Sequence, residues 1–235
     1  DQNEKTVNVI CVFLIALVLI TGYYTVTNSK NSAPNFNPNN MEKPPTSNGL
    51  STNNLIILGI CTFVLITSLS IIVDSSSSVY KTAPMFFITN TKSTINLENT
   101  TLTYGSNILL SIKGTNEWGN SGSNGGNLEL NATNQKLSGD IISDSLSSVD
   151  INLKSSTLTS TVNNNKKAKE VNISIDKNSK WNVEGNSYIN TLKLTNNDLN
   201  LIKDNGHNVY YDKEANERLD AKTYTLQDGG KLIPR

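Results

Sequence analysis

For its larger part the sequence predicts an all-β fold, a parallel β-solenoid preceded by two membrane-spanning helices. Three observations predict it. After Asp74 the chain alternates apolar and polar residues in short runs broken by Asn, Ser, Gly and Asp, the signature of short strands. Those runs recur at a step of about 22 residues, and repeats of that length built of strands and polar turns stack into solenoids. Before Asp74 stand two long apolar runs with a Pro- and Asn-rich stretch between them.

The first run, Val9 to Thr21 (VICVFLIALVLIT), continues to Thr27 and carries Tyr23 and Tyr24 near its end, where aromatic rings suit a membrane interface. The second, Leu55 to Val73, is uncharged and close to the roughly twenty residues a spanning helix needs. No basic leader and no A-x-A site mark the first run as a cleaved signal, and the missing initiator methionine points to a trimmed or incomplete start. Residues 1–27 thus read as a tail and first transmembrane helix, 28–53 as a linker, and 54–74 as the second helix. Two spans put both chain ends on one side of the membrane. Lys30 and Lys43 in the linker lean toward a cytoplasmic loop, with the solenoid extracytoplasmic at the cell membrane.

The two cysteines, Cys11 and Cys61, both lie inside the apolar runs, so neither a disulfide framework nor a zinc site is expected. Ile10 and Ile60 precede them where a bacterial lipid anchor needs a small residue. Lys+Arg and Asp+Glu number 20 each, which removes the strong positive field of a nucleic-acid binder.

Within 75–198 the rungs align. Ile95–Leu102 (INLENTTL) resembles Leu128–Leu137, Ile151–Leu158 and Ile173–Trp181, each with an apolar pair two apart, a polar corner and a further apolar residue. Inward Ile, Leu and Val would form the core, and stacked asparagine corners would bond from rung to rung. An antiparallel sandwich shows similar strands, but the in-register repeats and the scarcity of tight hairpins favour the solenoid. Residues 199–235 break the repeat and read as terminal rungs and a cap. Met85–Ile88 (MFFI) begins the ladder with an open rung through which the protein would self-associate.

Trp118–Gly126 (WGNSGSNGG), Leu137–Ile141 (LSGDI), Asp144–Ser148 (DSLSS) and the closing Gly229–Pro234 (GGKLIP) resemble a clostridial family of carbohydrate-binding-domain proteins over residues 85–235. The resemblance implies a right-handed parallel β-helix that binds acidic plant polysaccharide such as polygalacturonate, with calcium. Two hydrophobic spans in place of further upstream rungs depart from that family.

Trp118 lies in the one long loop, among Asn120, Asn124 and Asn127. There it would either stack on a sugar ring while the amides bind hydroxyls, or fold back and seal the loop. Trp181, at an alternating rung position, reads as core. Asp140, Asp144 and Asp150 are the candidate calcium ligands, with Asp140 and Asp144 spaced to meet at one corner, although no dense D-x-D-x-D loop exists. Solvated turn acids are the plainer reading of all three. Catalysis is not expected: the paired-acid motifs of polygalacturonases are missing as a set, and Gly206–His207–Asn208 matches only a fragment of one. The arginines, Arg218 and Arg235, both lie in the cap region. The expected function is non-catalytic binding of an acidic, pectin-like polysaccharide at the cell surface. The alternative is a structural solenoid that assembles into a surface or spore-coat layer.

Overall fold

In a computed structural model the described residues are 63–67, as backbone, and 70–235. They form a parallel β-solenoid of about seven turns with a spacing near 22 residues. The first turn holds β1 (Phe63–Thr67), β2 (Ser70–Ile72) and β3 (Phe86–Ile88); the second holds β4 (Lys92–Glu98), β5 (Thr101–Thr103) and β6 (Ile108–Ile112). The third is β7 (Asn127–Thr133), β8 (Lys136–Ser138) and β9 (Asp140–Ser143). The fourth is β10 (Ser148–Lys154) and β11 (Thr157–Ser160), completed by a single bridge from Val162 to Ile141. Then come β12 (Glu170–Ile175), β13 (Lys180–Val183) and β14 (Ser187–Tyr188), followed by β15 (Thr191–Leu194), β16 (Ile202–Lys203) and β17 (Val209–Tyr211). Finally β18 (Tyr224–Thr225) and β19 (Lys231–Pro234) close the coil.

Three faces result. The first is a six-stranded parallel sheet in the order β1-β4-β7-β10-β12-β15. The second carries β2-β5 and β8-β11-β13-β16, and the third carries β3-β6-β9 and β14-β17-β19. At the far end β18 runs antiparallel to β19, so the last parallel edge of the third face is covered within the chain.

Alternation produces the core directly. On the first face Ile95, Leu130, Ile151, Ile173 and Leu192 stand in register, all nearly or fully buried. On the second, Leu137, Leu158, Trp181 and Ile202 do the same. Trp181 is 0 % exposed and its indole N–H donates to the Ser160 carbonyl at 3.2 Å. The register shows a two-residue offset from the sequence alignment: Ile95 pairs through Leu130, not Leu128, to Ile151.

Two chemistries explain the Asn and Ser content. Corner residues adopt the left-handed region, as at Asn99, Asn134 and Ser155 between the first and second faces, where Asn is tolerated best after Gly. Just inside that corner a buried polar stack links turns: Thr100 N donates to Gln135 Oε1 (2.9 Å), Gln135 N to Ser156 Oγ (2.9 Å) and Ser156 N to Ser179 Oγ (2.9 Å). Each side chain thereby satisfies a backbone donor that a corner cannot pair in the ladder.

The coil starts earlier than Met85. Residues 63–67 pair with β4 and 70–72 with β5, so this part of the segment read as a second membrane helix, Leu55–Val73, is strand. The physical reason is composition: FVLIT and SII are rich in β-branched and aromatic residues, which pack on a pleated sheet as readily as they partition into lipid. The first apolar run, Val9–Thr21, the linker, and residues 55–62 lie outside the described residues. No helix among the described residues is long and apolar enough to cross a membrane.

Candidate functional site: an amide and lysine groove on the first face

The glycine-rich loop joins β6 to β7 and closes over itself. Asn124 is 1 % exposed, and its Nδ2 donates to the Trp118 carbonyl at 2.5 Å and to the Thr115 carbonyl. The Trp118 N–H donates to Thr115 Oγ1 at 3.2 Å, and the Asn124 carbonyl accepts the Asn90 N–H at 2.9 Å. A Cβ on Gly119, at φ +76°, would meet the Asn90 side chain at 2.6 Å, and one on Gly125 would meet the Leu146 carbonyl at 2.2 Å. Trp118 is half-buried, with its indole nitrogen sealed from solvent and unpaired. The buried N–H turns that edge of the indole into the protein. Asn120 is exposed, whereas Asn127 is exposed but accepts from Ser148 Oγ at 2.6 Å on the neighbouring strand. Of the four, Asn124 is buried beneath the loop, while Asn120 and Asn127 are open to solvent.

The three candidate calcium ligands are also dispersed. Asp140 opens β9 and Asp144 follows its end, so four strand residues hold their Cα atoms about 13 Å apart. The sequence-based idea that they share a corner is thus corrected: a strand lies between them. Asp144 instead anchors the Trp118 loop, accepting from Gly114 N at 2.8 Å and from Leu146 N at 3.1 Å. Asp140 accepts from Thr161 N at 3.3 Å. It also adds to the pKa of Tyr104, which burial chiefly raises to about 12. Asp150 lies on the first face, accepting from Asn172 Nδ2 at 2.8 Å. Among the described residues no group of three His, Cys, Asp or Glu side chains is placed to hold a metal, and these acids do not fit a calcium ion together.

The sequence reading missed an outward row on the first face. Asn96, Asn131 and Asn152 stand in register, with Asn131 Nδ2 donating to Asn96 Oδ1 at 2.9 Å and Asn152 Nδ2 to Asn131 Oδ1 at 2.8 Å. The row continues through Ser174 to Lys193, and beside it run Thr133, Lys154, Asp176 and Thr195. From Asn131 onward these residues line an open groove of about 460 Å³ that crosses β7, β10, β12 and β15, with Asn96 just outside it. Four strands span about 14 Å along the solenoid axis. Asn131, in the middle of the row, donates to Asn96 and accepts from Asn152, and Asn131 and Asn152 keep further hydrogen-bonding capacity for a ligand, whereas the Asn96 Nδ2 is buried and unpaired. Asp176 is engaged by its own corner: burial would raise its carboxyl, but Ser179 Oγ (2.5 Å) and the N–H groups of Ser155 and Asn178 hold it below the ordinary aspartate range. Lys154 and Lys193 are exposed and form no ion pair within 4 Å among the described residues; the Lys154 charge also helps hold Asp176 low, and two lysines against that one carboxylate leave the groove lining net positive.

A tyrosine pair on the third face was also missed. Tyr188 and Tyr210 stack at 4.6 Å with planes 5° apart, and Lys166 Nζ lies 4.6 Å from the Tyr188 centroid. Both faces of Tyr188 are occupied, so a sugar ring has no face of it to stack on. The pair is a rung-to-rung staple.

No family model matches the chain, and no match was found among curated proteins or solved structures.

Proposed function

We propose that the protein is a non-catalytic binder of acidic polysaccharide, a right-handed parallel β-helix, the hand that β-crossovers overwhelmingly adopt. In this reading the apolar segment Val9–Thr21 holds it at the membrane and the solenoid faces outward. The observation that carries the proposal is the groove: a row of pre-ordered amides at strand spacing, flanked by Lys154 and Lys193, running along the axis. A repeating polymer with a hydroxyl or carboxylate per unit meets one such rung per unit. Pre-ordering lowers the entropic cost of binding, because the amides already hold one another.

The test is affinity electrophoresis of the full chain through polygalacturonate, with added calcium and with chelator. Retardation that falls about tenfold in affinity in Lys154→Gln/Lys193→Gln, equivalent to about 1.4 kcal/mol, supports the groove. Equal retardation of the wild type and the double variant removes the groove from the reading. Equal retardation with and without calcium separates glycan binding from metal.

A second reading, assembly through the first turn, has one observation in its favour. Ile72 on β2 is 68 % exposed, and no strand among the described residues pairs with the outer edges of β1 and β2. Sedimentation mass that rises with concentration and returns to monomer in Ile72→Lys would favour it.

A further inference from the structure

The second face carries a separate cationic strip that the groove does not use. Its outward positions on β8, β11, β13 and β16 are Lys136, Ser138, Thr157, Thr159, Lys180, Asn182 and Lys203, with no acid among them. Lys136, Lys180 and Lys203 are exposed, and none forms an ion pair among the described residues. Lys136 and Lys180 stand in one register column with Thr157 between them, so their stems are two strand spacings, about 9.6 Å, apart. Lys203 extends the strip by one more turn beside Asn182.

The two strips cannot hold the same straight chain. Between them the backbone turns at Asn134 (φ 49°) and Ser155 (φ 48°), and outward side chains on either side of that corner leave the solenoid in different directions. Resting on the groove reading above, we propose that the second face binds a further anionic glycan chain, so that one molecule bridges two chains and cross-links the polymer. The ligand that fits the second strip presents negative charge on one side every second strand step. A polyuronate with a two-fold twist does so, since alternate carboxylates point to the same side.

The test mixes the full chain with polygalacturonate and follows light scattering beside electrophoretic retardation. Bridging predicts scattering that rises, passes through a maximum and falls at excess protein, when the chains are saturated by molecules bound through one strip only. Lys136→Gln/Lys180→Gln/Lys203→Gln is expected to lose the scattering and keep retardation through the groove; far-UV circular dichroism checks its fold, and Lys180→Gln alone gives a milder version. Unchanged scattering in the triple variant overturns the proposal. So does loss of all retardation in that variant with none lost in Lys154→Gln/Lys193→Gln, because only one strip then binds. Absence of retardation in the wild type overturns the groove reading and, with it, this one.

Discussion

The Asp204 carboxylate accepts the Gly230 N–H at 2.6 Å, tying the last full turn of the solenoid to the segment that caps it. The same carboxylate accepts from Asp228 N at 2.9 Å and Gly206 N at 3.2 Å, and Asp204 is 0 % exposed. A buried charge is tolerated there because three backbone donors solvate it. Gly230 is required by space, since a Cβ would lie 2.0 Å from the His207 carbonyl oxygen.

Asp204→Asn is therefore expected to destabilise the protein by about 2–3 kcal/mol, since an amide turns two donors toward backbone N–H groups that need an acceptor. Urea unfolding followed by circular dichroism measures it. An effect below about 0.5 kcal/mol would show that water replaces the carboxylate.

The pH dependence follows with its sign. Burial alone would raise the Asp204 carboxyl, but the N–H groups of Asp228 and Gly230 hold it below the ordinary aspartate range, and Asp176 is lowered similarly. Groups with depressed folded pKa values stabilise fully above the unfolded value of about 3.9 and lose that contribution as pH falls through the folded value. Stability is thus expected to be flat from neutral pH to about 4 and to decline below it. Asp204→Asn should shallow that acid limb in thermal melts, and an unchanged limb would exclude Asp204 from it.

Trp118→Ala is expected to loosen the loop between β6 and β7 while leaving polysaccharide retardation intact. Limited proteolysis should cut within residues 113–126 faster in the variant. Trp118→Phe should resemble the wild type, since the indole nitrogen has no partner to lose. Loss of retardation in both variants at unchanged proteolysis would return Trp118 to a ligand role.

Asn131→Ala removes the middle of the amide row and leaves the Asn96 and Asn152 amides without it. A loss of about 1–2 kcal/mol is expected. Asn131→Ala combined with Asn152→Ala should cost less than the sum of the single changes, because the pair shares one bond. Exact additivity in urea titrations would mean the row is not coupled.

Trp181→Ala should cost about 3–5 kcal/mol, the range for emptying a buried aromatic site in a core that cannot collapse. A coil has neighbours fixed above and below at strand spacing, so Leu158 and Ile202 have little freedom to close the space.

The solenoid itself was legible because strand alternation and a recurrence near 22 residues are local properties that survive without contacts. The exact register was not. A period-two pattern is unchanged by a shift of two residues, so Leu128 and Leu130 serve equally well as the inward partner of Ile151. That slip hid the alignment of Asn96, Asn131 and Asn152, and with it the groove. The FVLIT run misled for a related reason: hydrophobicity measures transfer out of water and does not say whether lipid or a neighbouring strand receives it.

The sequence by itself determined a coil of short strands with an apolar interior, polar corners and a non-repeating cap, because each depends only on residue order and side-chain class. Tertiary structure decided which side chains share a face. It placed Asp140 and Asp144 at opposite ends of one strand, put Asn124 beneath the Trp118 loop, and drew Lys154 and Lys193 from different turns to one groove. Residues about 20 or 40 apart in the chain become neighbours only when backbone hydrogen bonds fix the offset between turns, and that offset is a property of the stacked coil.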